Sequence, residues 1–214
     1  MSEVFENDMK FASLFRFYNK YKSIILSSAI LIIIILVAYL SSIQISKLNN
    51  EKAASLYNDL LSQNISSEEG QDRAKEILDE LTSSYKKTGY TQIALLNQAS
   101  ADAKDRNNSD ALEKFSILVT LTDGFSGNKL FNKLARVSSA RLLSANKNYD
   151  EALVMLEKYS SSSTNAYIHE LTGDILLKKG QGLLAREQYE IAKDKYNDEA
   201  SQSIILMKLA NIKS

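Results

Sequence analysis

One stretch of the chain differs from the rest in its hydrophobic pattern. Between Lys22 and Lys47 there is no charged residue, and Ile24 to Leu40 is apolar apart from Ser27, Ser28 and Tyr39. About 20 apolar residues in a helix cross the hydrocarbon of a bilayer, so the pattern predicts a transmembrane helix over 23–46. A cleavable signal peptide would have a shorter apolar core, about 7–15 residues, followed by small residues at a cleavage site. Tyr39 and Leu40 stand where small residues would be needed, so the segment reads as an uncleaved signal anchor. From residue 47 onward apolar residues recur at helical spacing, with no sustained strand-like alternation.

Charges flanking the apolar segment set its expected orientation. Lys10, Arg16, Lys20 and Lys22 precede it, and only Lys47 and Lys52 follow as far as Leu60. The side richer in Lys and Arg stays in the cytoplasm, which puts the N-terminus inside and everything beyond residue 47 outside. Phe15, Phe17, Tyr18 and Tyr21 fit an aromatic belt at the inner interface. The chain thus divides into a cytoplasmic tail (1–22), the span (23–46) and an external helical domain (47–214). Residues 1–9, which carry Glu3, Glu6 and Asp8, are expected to be unstructured.

Within the external domain, Ser66-Ser67-Glu68-Glu69 and Asn148-Tyr149-Asp150-Glu151 place polar caps and acids ahead of apolar faces, the signature of helix starts. Gly124 and Gly180 are placed to stop helices. The clearest repeated unit is 166–199, where Gly173, Gly180, Ala185, Tyr189 and Ala192 follow one another at steps of seven, five, four and three. This spacing resembles the tetratricopeptide repeat: a small residue on a first helix, a turn glycine, then small, aromatic and small residues on a second helix. Small residues let antiparallel helices approach, and the aromatic ring fills the gap they leave. Ala140 to Ala152 and Ala99 to Ala111 repeat the twelve-residue step from Gly173 to Ala185, and Tyr149, Leu156 and Phe115 recur at matching places.

The match is degenerate. Asn197 stands where a terminal proline is usual. The interval between the second and third units is too long, and the loop Thr122–Asn128 is expected to hold the excess. A weaker pair covers 51–86, with Ala74 and Leu78 on its second helix, Ser160–Thr164 is expected to be an inter-repeat loop, and 200–212 reads as a capping helix. The fold class is therefore all-α: one N-terminal transmembrane helix followed by a degenerate TPR-like α-solenoid. Projected onto such a repeat, the concave, partner-binding face of the last two units includes Leu134, Val137, Arg141, Tyr167, Asp174, Leu177 and Lys178. The alternative for part of this set is inter-helix core.

Composition sharpens this picture mainly by exclusion. The 214 residues contain no proline, where average usage would supply about ten, and proline breaks helix interiors. With no cysteine, disulfides and thiolate chemistry are excluded. Lys plus Arg and Asp plus Glu each number 26, so no net field draws the protein to nucleic acid. The single histidine, His169, lacks a carboxylate on its own face, since neighbouring helical residues such as Glu170 point apart. No phosphate loop, zinc-protease, EF-hand or nucleophile-elbow motif occurs. Neither an enzyme, a cofactor, a metal nor a small-molecule substrate is expected.

Several segments carry a closer resemblance: Asn132-Lys-Leu-Ala-Arg-Val137, Tyr149-Asp-Glu-Ala-Leu-Val-Met-Leu156, His169 through Gly180 with Ala185-Arg186, and Met207-Lys-Leu-Ala-Asn-Ile212. Together with the short tail and the signal anchor they resemble the YfgM family, ancillary subunits of the SecYEG translocon. The resemblance is architectural over the whole chain and close from about residue 130. It implies a bacterial inner-membrane protein with a periplasmic domain. Its implied partners are SecYEG, a PpiD-like periplasmic chaperone and unfolded exported proteins, with a link to the Rcs envelope stress response. The alternative is a membrane-anchored scaffold for an envelope assembly such as cell division or cell-wall synthesis.

Overall fold

A computed structural model describes residues 2–160 and 165–212, with side chains from residue 16 onward. Among the described residues all regular structure is helical: α1 (Ser2–Ser62), α2 (Glu68–Ser84), α3 (Gly89–Lys104), α4 (Asn108–Thr122), α5 (Lys129–Ala145), α6 (Tyr149–Ser160), α7 (Ala166–Lys178), α8 (Gly182–Lys195) and α9 (Glu199–Ala210). The chain forms two units, residues 1–52 and 53–214. Residues 161–164, most of the expected serine loop, lie outside the described set.

In the first unit α1 is long and apolar enough to cross a membrane, with a mean hydropathy of 2.8 in its most apolar window. The Ile, Leu and Val side chains from Ile24 to Ile45 are all exposed. A helix apolar on every side needs an apolar solvent, so these residues fit a single membrane pass. The Ser28 hydroxyl donates to the carbonyls of Ile24 and Ile25 at 2.9 Å, which satisfies the polar group without water. The Phe17 and Tyr21 rings, 4.8 Å apart between centroids, lie beside Lys20 at the basic end. The tail departs from expectation: α1 begins at Ser2, so residues 2–9 are helical. No glycine or proline interrupts the chain before the span, and propagating an existing helix costs far less than nucleating one.

The second unit is a chain of helix pairs around three successive hydrophobic clusters. Its first pair, expected over 51–86, is built from the last residues of α1 and from α2. Ala53 and Leu60 share a buried cluster with Ala74, Ile77, Leu78 and Leu81 of α2, and the cluster continues through α3 and α4 to Ala135. A second cluster unites α5, α6 and α7, and a third unites α7, α8 and α9. Each helix packs on the next in sequence from α2 to α9, as in a linear repeat array. α9 joins this last cluster through Ile205 and Leu209, with Ile212 just beyond it, where the capping helix was expected.

The small-residue spacing has a direct physical counterpart. Ala99, Ala111, Ala140, Ala152 and Ala185 are fully buried. Four residues after the second-helix alanines come Phe115, Leu156 and Tyr189, among the largest buried side chains. At Gly173 the reason for a small residue is visible: a Cβ there would lie 2.6 Å from Cε1 of Tyr189. The ring occupies the space that a side chain on α7 would need.

The turns inside the pairs repeat as well. At Arg106, Lys147 and Gly180 the backbone is left-handed, with φ of 66°, 66° and 84°. In each turn the next amide donates to a carbonyl five residues back: Asn107 to Asp102, Asn148 to Leu143 and Gln181 to Leu176, at 2.8–2.9 Å. This is a Schellman-type helix end, so one turn geometry closes α3–α4, α5–α6 and α7–α8. The excess length between the second and third units is placed differently from expectation. The loop at 123–128 exists, but most of the excess is helical: α4 and α5 have 15 and 17 residues, against 12 and 13 for α6 and α7.

Two outcomes follow for denaturant unfolding of the full chain in detergent. Gly173→Ala is expected to destabilise by about 1–3 kcal/mol through overpacking, and to cost less when made in a Tyr189→Leu background than in the natural chain. Lys147→Gly raises stability, by relieving a left-handed residue that costs about 1 kcal/mol, while Gly180→Ala lowers it by a similar amount.

Candidate functional site: the inner face of the stack

Within the second unit the first helices of the pairs pack directly on one another, α3 on α5 and α5 on α7, and the second helices do not do so comparably. Closer packing on one side curves a solenoid toward that side, and the concave face is the usual contact surface of such stacks. The inner face is therefore made by α3, α5 and α7, with α9 in the next first-helix position.

Every residue expected on this face lies on a first helix, on one stripe per helix. On α5, Leu134 is 41% exposed, Arg141 is exposed, and Val137 is half-buried against the cluster around Ala140 and Leu143. On α7, Tyr167 and Leu177 are 39% and 38% exposed, Lys178 is exposed and Asp174 is half-buried. Val137 thus belongs partly to the helix contact. Leu130, 64% exposed, continues the α5 stripe one turn toward the N-terminus. The sequence reading missed it, although its four-residue step to Leu134 was the available signal.

Asp174 is held inside a network. The Lys208 ammonium on α9 donates to Asp174 Oδ1 and Oδ2 at 2.7 and 2.8 Å and to Glu170 Oε1 at 2.7 Å. The Tyr189 hydroxyl donates to Asp174 Oδ1 at 2.7 Å, and the Tyr196 hydroxyl donates to Glu170. Burial, then the carboxylate hydrogen bonds, push both tyrosine pKa values well above their ordinary range, so both hydroxyls remain donors. Burial disfavours the charge on Lys208, but its hydrogen bonds to Asp174 and Glu170 outweigh that and hold its pKa above the usual lysine value. Asp174 and Lys208 are 34 residues apart, the length of one tetratricopeptide repeat, as befits equivalent faces of consecutive first helices. The Asn97 side-chain amide, which donates to the Tyr57 hydroxyl at 3.0 Å, ties α3 to the end of α1 in the same way.

A second network fixes the α4–α5 corner. Buried Asn132 donates through Nδ2 to the Val119 carbonyl at 3.1 Å and to Thr122 Oγ1 at 3.2 Å. Its Oδ1 accepts from Tyr159 at 2.8 Å and from Arg136 at 3.1 Å. Asp123 pairs with Arg136 and Lys158. The Lys158 hydrogen bond, followed by that from the Gly124 amide, lowers the Asp123 pKa below the ordinary carboxylate value.

His169 is buried, with Nδ1 2.9 Å from Oε1 of Gln188. A cleft beside the α1–α2 turn is lined by Gln63, Asn64 and the acidic first turn of α2, where the Gly70 amide donates to Ser67 Oγ. Among the described residues no three His, Cys, Asp or Glu side chains converge as metal ligands would.

Comparison with known families gives a match to a tetratricopeptide repeat-like domain over residues 16–214. Comparison with curated proteins gives no match.

Removing the ammonium by Lys208→Met strands two partly buried carboxylates and is expected to destabilise by about 2 kcal/mol. Because the Lys208 pKa is raised on folding, its contribution is complete below the usual lysine value of 10.5 and is lost as pH rises through the folded value. Asp123 has the opposite sign: its contribution is complete above 3.8 and is lost as pH falls through its lowered folded value. Thermal melts against pH are therefore expected to show a flatter alkaline limb for Lys208→Met and a flatter acid limb for Asp123→Asn.

Proposed function

The chain belongs to the tetratricopeptide repeat-like domain family, and on that footing we propose that it is a membrane-anchored adaptor that binds other polypeptides on the inner face of its helical stack. Folds of this class serve as adaptors and scaffolds, offering an extended concave surface to partners. The observation that carries the reading is the exposed apolar stripe on α5 and α7, with Leu134, Tyr167 and Leu177 beside Arg141 and Lys178, in a chain that also has a membrane-spanning helix. The anchor confines the domain to the membrane surface, which raises its effective concentration beside membrane-bound partners.

The finer reading is an ancillary subunit of the SecYEG translocon in a bacterial inner membrane. The basic flank before the span supports a cytoplasmic N-terminus and a periplasmic domain. On this reading a PpiD-like chaperone shares the site, and emerging exported proteins are passed toward periplasmic chaperones. An effect on the Rcs envelope stress response would follow from the state of that hand-over. The resemblance of residues 130–214 to YfgM-like proteins supports this choice over a scaffold for cell division or wall synthesis.

Purification of the full chain from native membranes in mild detergent tests the choice. SecY and a PpiD-like chaperone are expected to co-purify. Division or wall-synthesis proteins in their place would move the function to the scaffold class. Deleting residues 1–46 is expected to leave a folded domain that, exported by another signal, fails to support function in cells; full activity of that form would refute the role of anchoring.

A further inference from the structure

The inner face has an uneven balance of free charge. Its two carboxylates on α7, Glu170 and Asp174, share the single Lys208 ammonium and accept from the Tyr196 and Tyr189 hydroxyls, so the one net negative charge of this cluster is held by internal hydrogen bonds. Its two cations, Arg141 on α5 and Lys178 on α7, are exposed, and among the described residues no ion pair engages either. Beside them lie Leu130, Leu134, Tyr167 and Leu177, each more than a third exposed. The net effect is an apolar surface on which the acidic groups are engaged internally and two cations, Arg141 and Lys178, stand outside any ion pair among the described residues, on a domain whose overall charge is close to balanced.

We infer that the occupant of this face is an acidic amphipathic polypeptide segment, one with apolar side chains on one side and carboxylates flanking them. The inference rests on the adaptor reading and names its partner chemistry. Apolar anchors would enter between Leu130 and Leu134 on α5 and Tyr167 and Leu177 on α7. Carboxylates would meet Arg141 and Lys178, which lie toward the C-terminal ends of their helices. A basic segment would have to compete with Lys208 and the two tyrosine hydroxyls for the carboxylates here. Arg141 can take a carboxylate in two-pronged fashion, whereas Lys178 acts as a point charge.

The network also makes the charge asymmetry robust. Lys208 is protonated at neutral pH, and its raised pKa carries that charge further into the alkaline range, so Glu170 and Asp174 stay engaged. The same asymmetry predicts salt sensitivity, because Arg141 and Lys178 are solvent-exposed and screened.

The test uses the full chain in zwitterionic lipid nanodiscs and two fluorescent helical peptides of about 16 residues, roughly four turns. Both carry leucines at one-turn spacing; one has glutamates elsewhere and the other lysines. The glutamate peptide is expected to bind at least about tenfold tighter, a difference of about 1.4 kcal/mol. Raising ionic strength from about 0.05 to about 0.5 M, which shortens the Debye length to about 4 Å, is expected to erase most of that preference. Arg141→Glu with Lys178→Glu is expected to reverse it, while Lys75→Glu with Lys86→Glu, an equal change of net charge on another surface, leaves it intact. If the reversed pair does not fold, Arg141→Gln with Lys178→Gln is expected to abolish the preference. Equal binding of both peptides, preference for the lysine peptide, or an equal effect of the control pair overturns the inference. So does absence of binding because a second copy of the chain covers the stripe. Failure here together with co-purification of membrane partners would reject the acidic segment and leave the adaptor reading standing.

Discussion

The second unit depends on how closely antiparallel helices can approach. Gly173 on α7 leaves room for the Tyr189 ring of α8, and a single Cβ at that point would penetrate the ring. The buried alanines at 99, 111, 140, 152 and 185 serve the same end in the other pairs. Close approach within each pair, repeated with one turn geometry at Arg106, Lys147 and Gly180, lets each pair stack on the next. Direct packing among the first helices follows, and with it the curvature that gives the unit an inner face. Without small residues at these steps the helices would splay, and the surface offered to a partner would lose its shape.

Polar side chains then decide what that surface offers. Lys208 reaches from the capping helix to Glu170 and Asp174, so the terminal helix is fastened to the last full pair by charge as well as by Ile205 and Ile212. This contact removes two carboxylates from the inner face and leaves Arg141 and Lys178 free of ion pairs among the described residues. Asn132, linked to Thr122, Tyr159 and Arg136, fixes the corner between α4 and α5 and hence the start of the α5 stripe. On the proposed function, a membrane span would contribute through place, by raising the effective concentration of the inner face beside membrane-bound partners.

Much of this was legible in the sequence because it follows from local periodicity. The apolar run from Ile24, the twelve-residue alanine steps, the Ser67 cap and the Gly180 turn each depend on residues close along the chain, and each lies in the structure where the pattern puts it. The departures have equally specific causes. The helix runs through to Ser2 and on to Ser62 because nothing in the chain breaks it. The excess length beside Gly124 sits in α4 and α5 because a longer helix can absorb residues without disturbing the repeat. Lys208 escaped notice because its partners lie 34 and 38 residues away, a distance that means contact only once the stack is assembled. For that reason Asp174 reads as an open acid in the sequence and is a fastened one in the fold.

On the proposed function, the partner meets the inner face made by α3, α5 and α7. Photocrosslinking in living cells tests it most directly, with a photoreactive residue placed at Arg141 or Tyr167 on the first helices and, for comparison, at Val154 or Glu190 on the second helices. The account predicts that adducts form from Arg141 and Tyr167 and that SecY, a PpiD-like chaperone or nascent exported chains are found in them, with Val154 and Glu190 nearly silent. Equal capture from both sides, or capture from Val154 and Glu190 alone, would contradict it.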